Sequence, residues 1–419
     1  MKIFLLTDYF YPFNPGGSEW SVYELAKSLK KKMVDAVIVT LNYGASEREI
    51  YGDLKIIRLP FIKKIDVGRK IVNPAWQNNP IFFAISAFQI YRAVKSEKPD
   101  IIHVQGKFLI PGAILAGFVT KKPVIVTIRD KQIICPIGKC FFEKNRLQAC
   151  KLTEYITSDL PWYFTNYSQR KSFMNFTYVA FGVLYNRFMF AIIKFFANRA
   201  KLIITISQSQ KKYLEVNGFS NVKVIYNTAD FLGSKSSVQK TKSVLFAGKL
   251  SKGKGGEILI NSIPDLIKKN KIVFLFAGTI ELKGMFNGKL AKESFEKYIK
   301  LLKNLSYRQL TNLYSKVSAV VMPSIYPESF GRVALEAIAQ GTPVVVTNIG
   351  GLPEIVQDKV TGRVVDPNDG ELKNAIREVI KNEKIYKQNI KRLYPYLMKK
   401  FHDIPIEQHL KIYESLVKT

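Results

Sequence analysis

The sequence predicts an α/β protein built of two doubly wound, parallel-sheet domains. Three observations carry this. The chain has 419 residues, 47% of them hydrophobic, which is too long for one core and suits two. Short β-branched runs alternate with amphipathic stretches, the pattern of a parallel sheet covered on both faces. A polar stretch, "GSKSSVQKTKS" (233–243), interrupts the alternation, which then restarts. It reads as a linker. The predicted domains are residues 1–232 and 244–419, with the last helix a candidate to return to the N-terminal domain.

The elements follow in order. "KIFLLTDY" (2–9) is a buried strand, and "SEWSVYELAKSLKKK" (18–32) an amphipathic helix with Ser18 as its N-cap. Strands are predicted at 35–42, 100–106, 123–130 and 201–207, with a helix from Pro80 to about Lys95. In the second half, strands at 244–249, 271–278, 319–324 and 343–348 alternate with helices from Gly256, Ser306 and about Gly331. Helical segments close the chain from about Asp369. Such a pair of domains is expected to hold a ligand in a central cleft at its strand C-termini.

Charge narrows the ligand class. Lys and Arg number 64 and Asp and Glu 33, a net +31, so nucleic acid, anionic lipid or phosphorylated substrates are the natural partners. A lysine-rich solvated surface accounts for part of the excess. The three cysteines lie between positions 135 and 150, an odd cluster unlike a secreted disulfide framework, so a cytoplasmic location is expected. The N-terminal apolar run stops at Thr7-Asp8 with no cleavage site behind it, so no signal peptide is expected. No 18-residue run is both uncharged and apolar, so no spanning helix is expected.

The stretch "PESFGRVALEAIAQGTPVVVTNIGG" (327–351) places Glu328 and Glu336 eight positions apart. A strand precedes it and "GRVALEAIAQ" has helical composition. Glu328 then lies at or before a helix N-terminus and Glu336 about 12 Å further along. Gly331 lets a ligand approach the backbone, and free amides there favour an anion. One extended ligand with hydroxyls at each end and phosphate between them fits, as a nucleotide sugar does. Taken alone, Glu328 could be a carboxylate favoured by the helix dipole and Glu336 a solvated helix residue.

The wider setting is carried by Pro323, Ser324, Glu328, Phe330, Gly331, Glu336, Ala337, Gly341, Pro343, Gly350, Gly351 and Glu354. This arrangement resembles the signature of retaining family 4 (group 1) glycosyltransferases of the GT-B fold, in which two Rossmann-like domains face a central cleft. The resemblance implies that Glu328 contacts the transferred sugar and Glu336 the ribose, with Ser329, Phe330 and Gly331 beside the donor. It recurs at "GKLSKGKGG" (248–256), with Lys249 where arginine is usual and Lys254 in the lysine position. It recurs again at the loop of Gly16 and Gly17, at "VTIRDKQIICP" (126–136), where the family usually has His-Asp, and at "IYNTAD" (225–230).

Cleaving a sugar–diphosphate bond leaves negative charge on the departing phosphate. The sequence contains no Asp-x-Asp pair, so no metal is expected. Lys249 and Lys254 offer the alternative cations, together with the helix terminus at Gly331. Read alone, they are two of many surface lysines. Arg129 stands where histidine is usual. Arginine cannot act as a base, so it either holds the diphosphate or marks an altered site, and Asp130 is placed to orient it. The resemblance implies front-face transfer, in which no side-chain base is obligatory. Cys135, Cys140 and Cys150 are read as buried thiols in preference to a metal site lacking its fourth ligand. His103 is either an acceptor contact or a satisfied core histidine.

"LPWYFTNYSQRKSFMNFTYVAFGVLYNRFMFAIIKFFANRAK" (160–201) interleaves aromatics with Arg and Lys. It fits either an interfacial membrane helix or a core helix. The reading is a retaining, hexosyltransferase-like enzyme moving sugar from a nucleotide diphosphate to a glycan or lipid-linked acceptor, peripheral on the cytoplasmic membrane face. It would serve cell-surface polysaccharide, glycolipid or glycoprotein assembly. The alternatives are an epimerase or phosphorylase of the same fold, or a basic nucleic-acid-binding protein. The last would want aromatics beside lysines on an exposed groove, whereas here they concentrate in one apolar segment, so no nucleic-acid partner is expected.

Overall fold

The computed structural model describes all residues except 14–15, 69–70, 135–146, 150, 162–163, 165–172, 232–236, 239–240, 291–292, 304 and 419. The three cysteines lie outside the described residues. The chain forms two compact units: the described residues up to Thr228 together with those from Pro405 onward, and those from Ala229 to Ile404. The passage from one to the other at Thr228–Ala229 precedes the polar stretch 233–243.

The first unit contains β1 (Lys2–Leu6), α1 (Ser18–Lys31), β2 (Asp35–Leu41), β3 (Arg48–Tyr51), β4 (Leu54–Leu59) and α2 (Pro80–Glu97). It continues with β5 (Ile101–Val104), α3 (Ile110–Thr120), β6 (Val124–Ile128), α4 (Phe173–Ala197), β7 (Leu202–Thr205), α5 (Gln208–Val216) and β8 (Val222–Val224). The sheet order is β3-β4-β2-β1-β5-β6-β7-β8, parallel except for the β3–β4 hairpin. Ile3, Phe4, Leu5 and Leu6 of β1 are all fully buried, because both sheet faces are covered. Phe4 and Leu6 share a core with α2, α3 and α4. Ile3 and Leu5 face α1 and the terminal helix.

The second unit holds β9 (Ser243–Ala247), α6 (Gly256–Asn270), β10 (Val273–Ala277), α7 (Lys283–Leu290), β11 (Ile299–Leu302) and α8 (Tyr307–Tyr314). Then come β12 (Ala319–Met322), α9 (Arg332–Ala339), β13 (Val344–Thr347), β14 (Gly362–Val365), α10 (Asp369–Lys381) and α11 (Glu383–Met398). Its sheet is parallel, ordered β11-β10-β9-β12-β13-β14. The terminal helix α12 (Ile404–Lys418) lies in the first unit from Pro405 on.

The fold class agrees with the sequence reading, while several elements escaped it. β3, β4, β8, β11 and β14 are short or polar at alternate positions, so each gives little pattern. Helix α3, "IPGAILAGFVT", is apolar nearly all round, so its periodicity is silent. Ser18 is the first helical residue, not the cap. Gly17 takes the cap position without a side-chain hydrogen bond.

Candidate active site

Each sheet reverses its winding at one point, and in the second unit Lys249, Lys254 and Glu328 lie in the loops beside it. In the second unit the reversal lies between β9 and β12, the position where open α/β sheets leave a crevice beyond their strand C-termini. The turn after β9 carries Lys249 and Lys254, and the loop after β12 carries Ser324, Tyr326 and Glu328.

The two segments interlock through glycine. A Cβ on Gly255 (φ 72°) would lie 1.7 Å from the Pro323 carbonyl oxygen, and one on Gly253 would lie 2.6 Å from the Tyr326 ring. The Ile325 amide donates to the Gly253 carbonyl at 3.1 Å. A Cβ on Gly350 (φ 65°) would meet the Glu328 carbonyl oxygen at 2.3 Å, and the Gly351 amide donates to that oxygen at 2.8 Å. Side chains at these glycines would force the loops apart.

This packing brings Lys254 and Glu328, 74 residues apart, into an ion pair at Glu328 Oε1. Ser324 Oγ donates to the same oxygen at 2.7 Å. Lys254 Nζ also lies 5.4 Å from the centre of the Tyr326 ring. Burial would lower the Lys254 pKa, but the Glu328 charge and Tyr326 outweigh it and hold the ammonium above the ordinary lysine range. Burial, then Glu328, pushes the Tyr326 hydroxyl up, so it stays neutral. The result is a fixed ammonium beside an oriented carboxylate.

Lys249 takes a different partner, Glu281 at 2.7 Å, in an exposed pair. Glu336 points into the unit. Its carboxylate receives Arg332 Nε at Oε1 and the Tyr314 hydroxyl at 3.0 Å on Oε2. Arg332 in turn donates to the Tyr307 hydroxyl at 3.0 Å. Burial works against the guanidinium charge, yet Glu336 outweighs it and holds the Arg332 pKa above its usual range. Glu336 is therefore a buried, paired carboxylate, unlike a solvated helix residue. Gly331 caps α9 at φ 109°, where a Cβ would lie 2.5 Å from Leu352. The Phe330 side chain is buried, with its ring 6.4 Å from that of Phe401, which leaves its backbone for any donor contact.

In the first unit the reversal lies at β1 and β5. Arg129, just beyond β6, donates through Nε and Nη2 to Gln105 Oε1 at 3.2 and 2.5 Å, and through Nη1 to Asn227 Oδ1. Because a guanidinium only donates, Gln105 must turn its oxygen to Arg129 and its amide to His103, 2.8 Å from Nε2. His103 Nδ1 and the Tyr413 hydroxyl share a hydrogen bond of 2.7 Å, and Nε2 shares another of 2.7 Å with Thr127 Oγ1. The relay Arg129–Gln105–His103–Tyr413 thus runs from the strand ends to α12. Burial, followed by the charges of His409 and Arg129, depresses the His103 pKa and keeps the ring neutral. His103 is a satisfied core histidine. Gln105 and Asn227 thus supply oxygens to Arg129. Asp130 accepts from Lys107 Nζ at 3.5 Å and the Gln132 amide at 3.0 Å.

Two features of this unit went unread in the sequence. Asp8 follows β1 directly beneath Gly106, where a Cβ would lie 2.6 Å from Asp8 Oδ1. That oxygen is buried without a hydrogen-bond partner among the described residues. Burial, opposed by Lys107, pushes the Asp8 carboxyl up to about 7. A charged residue closing a buried strand was the available signal. Nothing local in the sequence marks Tyr413. The predicted loop glycines are also here: the Gly16 amide donates to Glu19 Oε2 at 3.1 Å, and Gly17 caps α1. Among the described residues no group of three or more His, Cys, Asp or Glu side chains gathers as a metal site would require.

Comparison with known proteins bears on the family and the fold. Residues 229–394 match the family model "Glycosyl transferases group 1", and residues 15–137 match "Glycosyltransferase Family 4". An uncharacterized glycosyltransferase of Methanocaldococcus jannaschii is 25% identical over 392 residues, covering 92% of this chain and 90% of the relative. Another from the same organism is 33% identical over 187 residues, where the match spans 40% of this chain and only 47% of the relative. Among solved structures, Anabaena HepE in complex with UDP-glucose superposes with a TM-score of 0.67 at 20% identity over 100% of both chains. The two Rossmann-like domains are those of the GT-B glycosyltransferase fold. The chain belongs to the group 1, or family 4, glycosyltransferases.

Proposed function

We propose that this protein transfers a sugar, with retention of anomeric configuration, from a nucleotide diphosphate donor to a hydroxyl of a glycan or lipid-linked acceptor. The observation that carries the reading is the Lys254–Glu328 pair at the strand reversal, braced by Ser324. In this scheme Lys254 faces the diphosphate and stabilises charge on the leaving phosphate. Glu328, freed from part of its bond to Lys254, accepts from the sugar hydroxyls and orients the ring. Glu336 holds the ribose by the carboxylate edge that Arg332 and Tyr314 keep in place. Arg129, held by Gln105 and Asn227, is the cation that the first unit offers to an anionic ligand. No residue is required as a base, because the departing phosphate takes the acceptor proton. Lys254 supplies cationic help through the chain itself, so the reaction proceeds without a divalent ion.

A uridine donor is the first to test, since HepE, a similar structure, is in complex with UDP-glucose. A donor at 100 times its Kd should stabilise the fold by about 2.7 kcal/mol, read as a rise in melting temperature across a panel of nucleotide sugars. Lys254→Ala should abolish transfer even in excess magnesium, while chelator leaves the parent active. Activity lost in chelator and restored by a divalent ion would overturn the metal-free scheme. An inverted product anomer by NMR would overturn retention.

A further inference from the structure

We propose that the outer face of α2, α3 and α4 is a docking surface for an anionic lipid bilayer, on which the first unit lies without spanning it. These helices cover one face of the first sheet and share its core. Each buries one side, yet the opposite side of each is also apolar. On α2 the outward stripe is Ile81, Ala84, Ile85 and Phe88. On α3 it is Leu115, Phe118 and Val119, with Phe118 85% exposed. On α4 the stripe includes Phe181, Phe188 and Phe195, spaced by seven. A Cβ on Gly112 of α3 would lie 2.3 Å from Ser86 Oγ of α2, so those two stripes form one surface. A solvated helix would carry charges on this side, and an exposed apolar patch of this extent marks an interaction site.

The charges decide the occupant. The three helices contain one acidic residue, Glu97, and it is tied to Lys2, Arg48 and Lys55. Each stripe ends at its C-terminus in basic residues: Arg92 and Lys95, Lys121 and Lys122, Arg199 and Lys201. The three helices lead into adjacent parallel strands β5, β6 and β7, so these cations share one edge. Arg199 lies 3.3 Å from the Phe195 ring centre and Arg92 5.9 Å from that of Phe88. An apolar face with a cationic rim matches acyl chains beneath anionic headgroups. A second copy of a chain with net charge +31 would bring like charges together.

No spanning helix is expected from the sequence, yet Asn175–Ala197 is long and apolar enough to cross a bilayer. Its inner side argues for lying flat. Met189, Phe190, Ile193 and Ala197 are buried in the same core as Val104 and Val126. Crossing would strip that core.

The test is flotation of the full chain with vesicles of phosphatidylcholine alone or mixed equally with phosphatidylglycerol, at low and high salt. The parent should float with the mixed vesicles and stay partly bound at high salt. A chain carrying Phe88→Ser, Phe118→Ser and Phe188→Ser, all outward, should keep its melting temperature and lose about tenfold of the salt-resistant binding. Arg92→Glu, Lys121→Glu and Arg199→Glu together should remove the preference for phosphatidylglycerol. Four results would overturn the proposal: no flotation of the parent, undiminished high-salt binding by the serine chain, a parent dimer in sedimentation that the serine changes dissociate, or resistance of the membrane-bound protein to alkaline carbonate.

Discussion

The two strand-reversal points fasten their cations in opposite ways. In the second unit Lys254 meets a formal charge, Glu328, in a partly buried pair between two loops. In the first unit Arg129 is gripped by neutral oxygens of Gln105 and Asn227, and the grip continues through buried His103 to Tyr413. A loop-borne ion pair whose ammonium solvent still reaches can be exchanged for a ligand's charges. A buried neutral relay is part of the scaffold, because each member left unpaired costs its desolvation. One arrangement is built to be rearranged and the other to stay.

That contrast is sharpest at Glu328. Glu328→Gln removes the exchangeable charge and should lower turnover by about 100-fold, with the melting temperature within a degree or so of the parent's. A folded variant with parental turnover would erase the distinction between the two sites.

Asp8 tests the scaffold side by pH. Its folded pKa, raised to about 7 from 3.8 by burial, means the native state favours the neutral acid. Its contribution to stability is full below about pH 4 and is lost as pH rises through 7. Asp8→Asn, which cannot ionise, should therefore gain on the parent by at most about 4 kcal/mol at pH 8 and converge with it near pH 4. Denaturant midpoints at the two values check this, and a gap independent of pH would contradict it.

Glu336→Gln should mix both behaviours. Its carboxylate faces the ribose in the proposed scheme and also pairs with buried Arg332. We expect KM for the donor to rise about tenfold, and stability to fall by about 3 kcal/mol because the guanidinium loses its counter-charge. A KM change with no loss of stability would make Glu336 as exchangeable as Glu328. The smallest effect belongs to Tyr413→Phe, which cuts the far end of the relay. It should cost about 1 kcal/mol of stability and leave KM unchanged.

The serine variants of the outer face also correct an expectation from the aromatic segment. That segment invited two exclusive readings, an interfacial helix or a core helix. Helix α4 serves the core through Phe190, 5% exposed, and presents Phe188, 62% exposed, outward. Replacing every phenylalanine from 188 to 196 would therefore break the fold along with any surface. An amphipathic reading fails here because both faces are apolar, and only the packing tells them apart.

The amino-acid order by itself determined the two-domain α/β architecture, since strand and helix periodicities are local and the strands are apolar on both faces. It also placed the residue types of the candidate site: a lysine on a glycine turn, a carboxylate ahead of a helix, a second carboxylate eight residues on. Tertiary structure alone decided the partners. Lys254 finds Glu328 across 74 residues and His103 finds Tyr413 across 310, and no periodicity spans such distances. It also decided that Lys249 pairs with Glu281 and that Glu336 is buried against Tyr314. The physical reason is that a hydrogen bond or ion pair depends on separations of a few ångströms. Those are set only when each unit assembles and brings its own strand ends and loops together.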